Sequence, residues 1–212
     1  MPARAARGWC DLFSTVLLAG VLSGCETVPE SAEPVAVDDP VVEFESRQAV
    51  LGNIQQWFAS GRLVLATATD SDNATVRWDQ RADGYTIRLS GPLGVGAVEL
   101  RGSDGEVVLT ADDKQYRAPD ADTLLRDVAG MAVPVNGLRY WLMGLVAPGE
   151  EVVELRFDNG GRLEYLEQGG WKIRYLRYSK TDLLDMPTKV FMDSVQVRAR
   201  IVVQEWGFKQ GS

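Results

Sequence analysis

Residues 74–94 read ATVRWDQRADGYTIRLSGPLG, and their alternation decides the fold. Ala74, Val76 and Trp78, then Tyr85, Ile87 and Leu89, recur at every second position, with Thr75, Arg77, Thr86 and Arg88 between them. Successive side chains on a strand point to opposite faces, so this period of two describes antiparallel strands with one apolar face. Leu63 and Leu65 carry the same pattern back to Gly61, where the period changes. Further strands are expected over 95–101, 106–110, 114–117, 151–157, 162–168, 171–178, 187–193 and 195–204, joined by short turns such as Asp104-Gly105, Asn159-Gly160 and Gly169-Gly170. The result is about eleven strands, and a sheet of that size curls and must have its concave face covered.

Three helical segments are available for the cover. Ala49, Val50, Ile54, Trp57 and Phe58 recur at spacings of three and four, which predicts an amphipathic N-terminal helix near 43–58. Asp120 is placed to cap a helix over Leu124, Leu125 and Val128 that stops at Gly130. Asn136 is placed to cap another over Leu138, Trp141 and Leu142 that stops at Gly144. The expected class is mainly β: an unclosed antiparallel β-barrel of about eleven strands with a helical lid, spanning 47–208. Such a barrel leaves an apolar cavity between sheet and lid. Its expected wall is Leu63, Leu65, Val76, Trp78, Ile87, Leu89, Ile173 and Tyr175, with Leu124, Leu138 and Trp141 from the lid. For any one of these residues an ordinary packed core is an equally good account; only their sum argues for a cavity.

Composition narrows the function. The 212 residues, 45% hydrophobic and 25% charged, suffice for one core and do not require two. With 22 basic against 30 acidic residues the chain carries -8, which gives no support to a phosphate-binding surface, so nucleic acid is not an expected partner. The absence of His removes Ser-His and Cys-His nucleophiles and imidazole metal sites. Cys10 and Cys25 both precede the folded body, which therefore holds neither a disulfide nor a thiolate zinc site. The pairs Asp112 with Asp113, Glu150 with Glu151, and Asp182 with Asp185 would suit a glycosidase only if they flanked a sugar. They fall instead at expected strand ends, where solvated turns are the simpler reading. Asp70, Asp72 and Asn73 begin like a calcium loop but lack its central Gly and closing Glu. A Ser or Thr beside Lys remains a formal nucleophile, with no recognisable spacing. No catalytic, metal or cofactor site is expected.

At the N-terminus, Arg4 and Arg7 precede a mostly apolar run, Leu12 to Val21, that is too short to span a bilayer. It ends in Leu22-Ser23-Gly24-Cys25, small residues ahead of a lone Cys, which is the arrangement of a bacterial lipobox. A plain secretory peptide with an incidental Cys is the competing reading, supported by Asp11. On the lipobox reading, residues 1–24 are a lipoprotein signal peptide, and Cys25 becomes the mature N-terminus with covalent diacylglycerol and an N-acyl chain. Multiple acyl chains anchor a protein stably. Glu26 follows Cys25, where an Asp would favour inner-membrane retention by resemblance to the familiar sorting rule, so the outer membrane is permitted. Residues 26–46 contain seven acidic residues, no basic one, and Pro29, Pro34 and Pro40. Segment 25–46 is accordingly expected to be a flexible acidic tether with a reach of about 25 Å.

One turn stands apart. Gly91-Pro92-Leu93-Gly94 puts Leu93 where turns usually carry polar residues, followed by Val95-Gly96-Ala97. Leu93 either tucks under the lid or projects into an acyl layer, and composition does not choose between them.

These features together resemble the outer-membrane lipoprotein receptor LolB family. The resemblance rests on Trp78-Asp79-Gln80 with Tyr85; the Gly91–Gly94 turn leading to Glu99-Leu100; Met131 to Leu145 with Pro134, Leu138, Arg139, Trp141 and Gly144; and Gly170-Trp171-Lys172 leading to Tyr175, Tyr178 and Met186-Pro187. It implies a LolA/LolB-like half-barrel whose cavity accepts the acyl chains of lipoproteins handed over by the periplasmic carrier LolA. It also implies that the loop Pro92, Leu93, Gly94 protrudes and helps insert the cargo into outer-membrane lipids. The chain departs from the family in Leu145-Val146-Ala147-Pro148 after Gly144, where a Pro close behind the Gly is usual, and in its acidic tether. The alternative is a tethered structural or envelope-assembly lipoprotein that uses the sheet for protein contacts.

Overall fold

In the computed structural model, which describes residues 31–91, 96–103 and 105–209, eleven strands form one antiparallel sheet. In chain order they are β1 (Trp57–Ala66), β2 (Ser71–Arg81), β3 (Gly84–Ser90), β4 (Val98–Ser103), β5 (Glu106–Ala111), β6 (Lys114–Ala118), β7 (Val152–Phe157), β8 (Leu163–Gln168), β9 (Trp171–Ser179), β10 (Met186–Asp193) and β11 (Arg198–Phe208). Their spatial order is β6-β5-β4-β3-β2-β1-β11-β10-β9-β8-β7. β6 and β7 are the two edges, so the barrel is unclosed. The chain between those edges contains α2 (Ala121–Ala129) and α3 (Val135–Leu142), so the lid is also the link from one edge to the other.

The lid helices stop and start for local reasons. Asp120 accepts the Thr123 N–H at 2.8 Å, and Gly130 ends α2 in the left-handed region at φ 66. α3 begins differently from expectation. Pro134, not Asn136, is its N-cap and offers no side-chain bond; the Asp122 carboxylate of α2 instead accepts the Val135 N–H at 3.2 Å. At the other end Gly144, at φ +76, lets the Leu145 N–H reach back to the Tyr140 carbonyl at 3.0 Å.

The N-terminal region departs most from the sequence reading. Helix α1 covers Pro40–Gly52 rather than 43–58. Its buried stripe is Phe44, Arg47 and Leu51, while Ala49 and Val50 face solvent. Asp39 accepts the N–H groups of Val41 and Val42, and Pro40 occupies the first turn, where its missing N–H costs nothing. Asp39, Pro40 and Glu43, three of the residues that read as disorder, are thus helix-start chemistry. Trp57 and Phe58 belong to β1, and Gly61 is not a boundary but the site where the β1–β11 register shifts. A Cβ at Gly61 would lie 2.1 Å from the Val202 carbonyl oxygen, so the two backbones meet there only because the side chain is absent.

Of the expected tether 25–46, the described part from residue 31 is bonded to the barrel. β8 pairs with β9 from Gln168↔Trp171 only as far as Tyr165↔Arg174. Beyond it the Ala32 N–H donates to the Tyr178 carbonyl at 2.8 Å, and the Val37 N–H to the Asn159 carbonyl at 2.9 Å. Arg162 fixes this strap, donating to the Ala32 carbonyl at 3.0 Å while pairing with Asp158 at 2.7 Å and Asp185 at 3.0 Å. Arg47 donates to the Asp185 carbonyl, and both guanidinium groups lie over the Tyr178 ring, at 5.6 and 4.6 Å. Burial lowers the Arg47 pKa and, with the nearby carboxylate of Asp158, raises that of Tyr178.

Candidate functional site

The concave face of β1–β5 is not filled. An apolar cavity of about 170 Å³ lies between it and the lid, with no polar atom facing the space. Inward positions of consecutive strands form its wall: Leu63 and Leu65 on β1, Val76 and Trp78 on β2, Ile87 and Leu89 on β3. Leu125, Met131, Val133 and Leu138 supply the roof, and Met192, Val197 and Ile201 continue the wall across β10 and β11.

One end of the cavity is shut by aromatic rings. Trp57 lies 5.5 Å from Trp78 and 5.6 Å from Trp206, and Trp78 lies 6.1 Å from Tyr85. The Trp78 indole N–H donates to Gln80 Oε1 at 3.1 Å, and Gln80 Nε2 donates to the carbonyls of Arg81 and Gly84, so the buried polar atoms of both side chains are satisfied. Asp79, between them, faces outward to Arg77 at 2.9 Å and Arg88 at 3.6 Å. Burial, reinforced by the Asp122 and Asp120 carboxylates, pushes the Tyr85 hydroxyl up to about 12, so it stays protonated beneath the lid. Toward the opposite end the wall runs out to Leu89 and Val98, the last lining residues on β3 and β4. Pro92, Leu93 and Gly94, which fall between these strands in the sequence, lie outside the described residues, as does Cys25.

Seven of the eleven residues expected around the cavity line it: Leu63, Leu65, Val76, Trp78, Ile87, Leu89 and Leu138. The other four pack elsewhere. Leu124 is buried in the core shared with β5, and its neighbour Leu125 takes the cavity position, since adjacent helical residues point about 100° apart. Trp141, Ile173 and Tyr175 belong to a filled half of the barrel. There the Trp141 indole N–H donates to Gln168 Oε1 at 2.8 Å, its ring lies 6.1 Å from Trp171, and its carbonyl accepts the Tyr175 hydroxyl at 2.8 Å.

Gln168 is the residue sequence reasoning missed. It is fully buried, accepts from Trp141 and from the Ala147 N–H at 2.9 Å, and donates to the carbonyls of Ala147 at 2.8 Å and Glu150 at 3.1 Å. All four hydrogen-bonding positions of the carboxamide are used, and they pin the end of α3 and the following loop to β8. The available signal was its inward phase, two residues after Leu166 on the same strand face. Asp122 was also missed; burial raises its pKa although the Val135 N–H works in the other direction.

Residues 55–206 match the protein family described as outer membrane lipoprotein LolB. The chain belongs to the LolB family. It is 39% identical to the outer-membrane lipoprotein LolB of Nitrosococcus oceani over 199 residues, covering 93% of this chain and 98% of that protein. It is 41% identical to that of Alkalilimnicola ehrlichii over 192 residues, covering 90% and 93% of the two chains. A crystal structure of a LolA superfamily protein from Nitrosomonas europaea superposes with a TM-score of 0.50 at 6% identity, over 84% of this chain and 96% of that one, a likeness of fold. In this LolB-family chain the quoted family residues therefore have distinct physical jobs. Trp78 and Gln80 close the cavity, Gly144 ends the lid, and the residues flanking the Gly91–Gly94 turn form the rim.

Proposed function

We propose that this protein is the outer-membrane lipoprotein receptor of its cell: held by acyl chains on Cys25 and facing the periplasm, it accepts lipoproteins from the carrier LolA and inserts them into the outer membrane. The observation that carries the reading is a cavity with a wholly apolar wall that runs out to Leu89 and Val98, the strand ends between which the sequence carries Pro92, Leu93 and Gly94. A triacylated N-terminus has about 45 methylenes, and exposing them to water would cost roughly 35 kcal/mol, so the cargo needs a dry container throughout. Transfer then requires no chemical step; the chains move to whichever pocket binds them more favourably. We assign the protein no catalytic role.

Volume adds a constraint. A 150 Å³ cavity in another protein holds about one benzene ring, and the 170 Å³ found here is of that size. Loading a lipoprotein therefore requires the lid to lift. α2 and α3 are joined by the Asp122–Val135 hydrogen bond and held at their far end by Gln168, so they move as a unit hinged near β7 and β8. Lifting at the α2 end enlarges the space above Leu63, Val76 and Ile87 while Trp141 stays bonded to Gln168.

The test uses Leu93→Glu in a chain lacking residues 1–25. Uptake of a lipoprotein from LolA is expected to persist, and delivery to vesicles is expected to stop. Equal delivery by the variant overturns the insertion role. A fluorescent fatty acid that fails to bind, and fails to quench Trp78, overturns the cavity role and favours a tethered assembly protein.

A further inference from the structure

The outer face of β9–β11 has a character opposite to that of the chain as a whole. Lys172, Arg174, Arg177, Lys189, Arg198 and Arg200 occupy outward positions there, in a protein of net charge -8. Asp193 pairs with Arg174 at 3.4 Å and Arg200 at 2.7 Å, and Lys172 reaches Glu167 at 3.8 Å. Among the described residues, Arg177, Lys189 and Arg198 have no carboxylate at ion-pair distance. Register brings Arg177 and Val202 to either side of Lys189, so the cations surround exposed apolar side chains: Val202 is 40% exposed and Leu176 49%. Val195, at the tip of the β10–β11 turn beside Arg198, is fully exposed.

The strap gives this face a neighbour. Ala32 is bonded to Tyr178 on β9, and seven residues link it to Cys25, a span of at most about 25 Å even if fully extended. With Cys25 in a leaflet, as the receptor reading requires, the Tyr178 end of β9 remains within about that distance of the headgroups. We propose that the outer face of β9–β11 lies on an anionic phospholipid surface, with Arg177, Lys189 and Arg198 paired to headgroup phosphates and Val195 and Val202 at the interface. A sheet face with scattered cations suits mobile lipid charges, which rearrange to meet them. The acyl anchor prevents escape, and this face sets orientation. Each basic side chain near such a surface contributes roughly fivefold to binding.

The test uses the mature acylated chain reconstituted in phosphatidylcholine vesicles with or without phosphatidylglycerol. Its native Cys is acylated, so an introduced Cys is the free thiol. An environment-sensitive label at Val202→Cys is compared with one at Glu150→Cys on the lid side. With phosphatidylglycerol, the label at 202 should be quenched by a lipid-borne nitroxide and the label at 150 should not. Arg177→Glu with Lys189→Glu and Arg198→Glu should lower the docked-to-undocked ratio on the order of a hundredfold, as should salt near 1 M, where the Debye length is about 3 Å. Arg177→Lys with Lys189→Arg and Arg198→Lys should restore quenching, which separates charge from folding. Equal exposure of both labels to water in both lipids overturns the proposal. So does a charge-reversed chain that fails to take lipoprotein from the carrier while position 202 is water-exposed in the parent, because the face then binds an acidic protein. Intact lipoprotein transfer with a water-exposed 202 sinks this inference alone; quenching at 202 in a chain that accepts no lipoprotein sustains it and sinks the receptor reading.

Discussion

Leu89 on β3 and Leu166 on β8 both sit at inward positions of neighbouring-strand ladders, yet Leu89 borders empty space and Leu166 is completely enclosed. The contrast extends along the sheet. From β1 to β4 the inner face looks across a gap to a roof of Leu125, Met131 and Leu138. From β8 to β10 it presses Leu163, Leu166, Ile173 and Val190 into one another with none of them accessible to solvent. A residue in the filled half has partner atoms on every side, whereas one in the hollow half already forgoes the contacts that a guest would supply. The filled half holds shape while the hollow half stays available.

The largest effect should come from breaking the polar anchor of the filled half. Gln168→Ala leaves Trp141 Nε1, the Ala147 amide and carbonyl, and the Glu150 carbonyl without their partner. Urea unfolding should show a loss of about 3–5 kcal/mol; a loss under about 1 kcal/mol would mean that water replaces the carboxamide. The paired truncations Leu166→Ala and Leu89→Ala measure the contrast directly. The first should cost about 2–5 kcal/mol by opening a void in close packing. The second should cost about 1 kcal/mol, because the side chain is partly buried and borders a void already. Equal costs would show the hollow half to be packed in solution.

Filling rather than emptying should reverse the order. Ala59, on the cavity wall, changed to Leu should leave the midpoint within about 1 kcal/mol while weakening fatty-acid binding roughly tenfold. Val190→Phe, in the filled half, should cost about 1–3 kcal/mol through overpacking. Gly144→Ala probes the turn that ends α3. It imposes a side chain at φ +76 and brings a Cβ within 3.1 Å of Pro187 and 3.2 Å of the Tyr178 hydroxyl, for an expected cost of about 1–2 kcal/mol.

The smallest effect is acid fraying of the lid. The Thr123 backbone N–H, and then its hydroxyl, hold the Asp120 carboxylate below its usual range. A carboxylate whose pKa is lower in the folded state stabilises above the unfolded value, about 3.9, and loses that contribution as pH falls through the folded value. Hydrogen exchange of the first turn of α2 should therefore accelerate below about pH 4 while β8 and β9 amides stay protected. Acceleration in both regions at the same pH would mean that the lid has no independent opening.

Much of the fold was legible in the alternation itself. Val76, Trp78, Ile87 and Leu89 announce their strands and their shared face, and Asp120 with Gly130 brackets α2, because these signals act through the local backbone. The N-terminus was misread for the same locality. Asp39-Pro40 is equally good chemistry for a tether or a helix start, and only docking of Phe44 on Phe157 and of Arg47 on Asp185 and Tyr178 selects the second. Trp57 and Phe58 fell into a helical spacing by coincidence, although Gly52-Asn53 supplied a stop before them.

By itself the sequence determined the kind of object this is: a one-sided sheet, two lid helices, and motifs belonging to one family. Tertiary structure decided which apolar positions face a void and which face one another, why Leu125 and not Leu124 forms the roof, and that a single Gln fastens the lid to the wall. Periodicity records the direction of a side chain relative to its own backbone, while emptiness is a property of what stands opposite, and that is fixed only when distant segments meet.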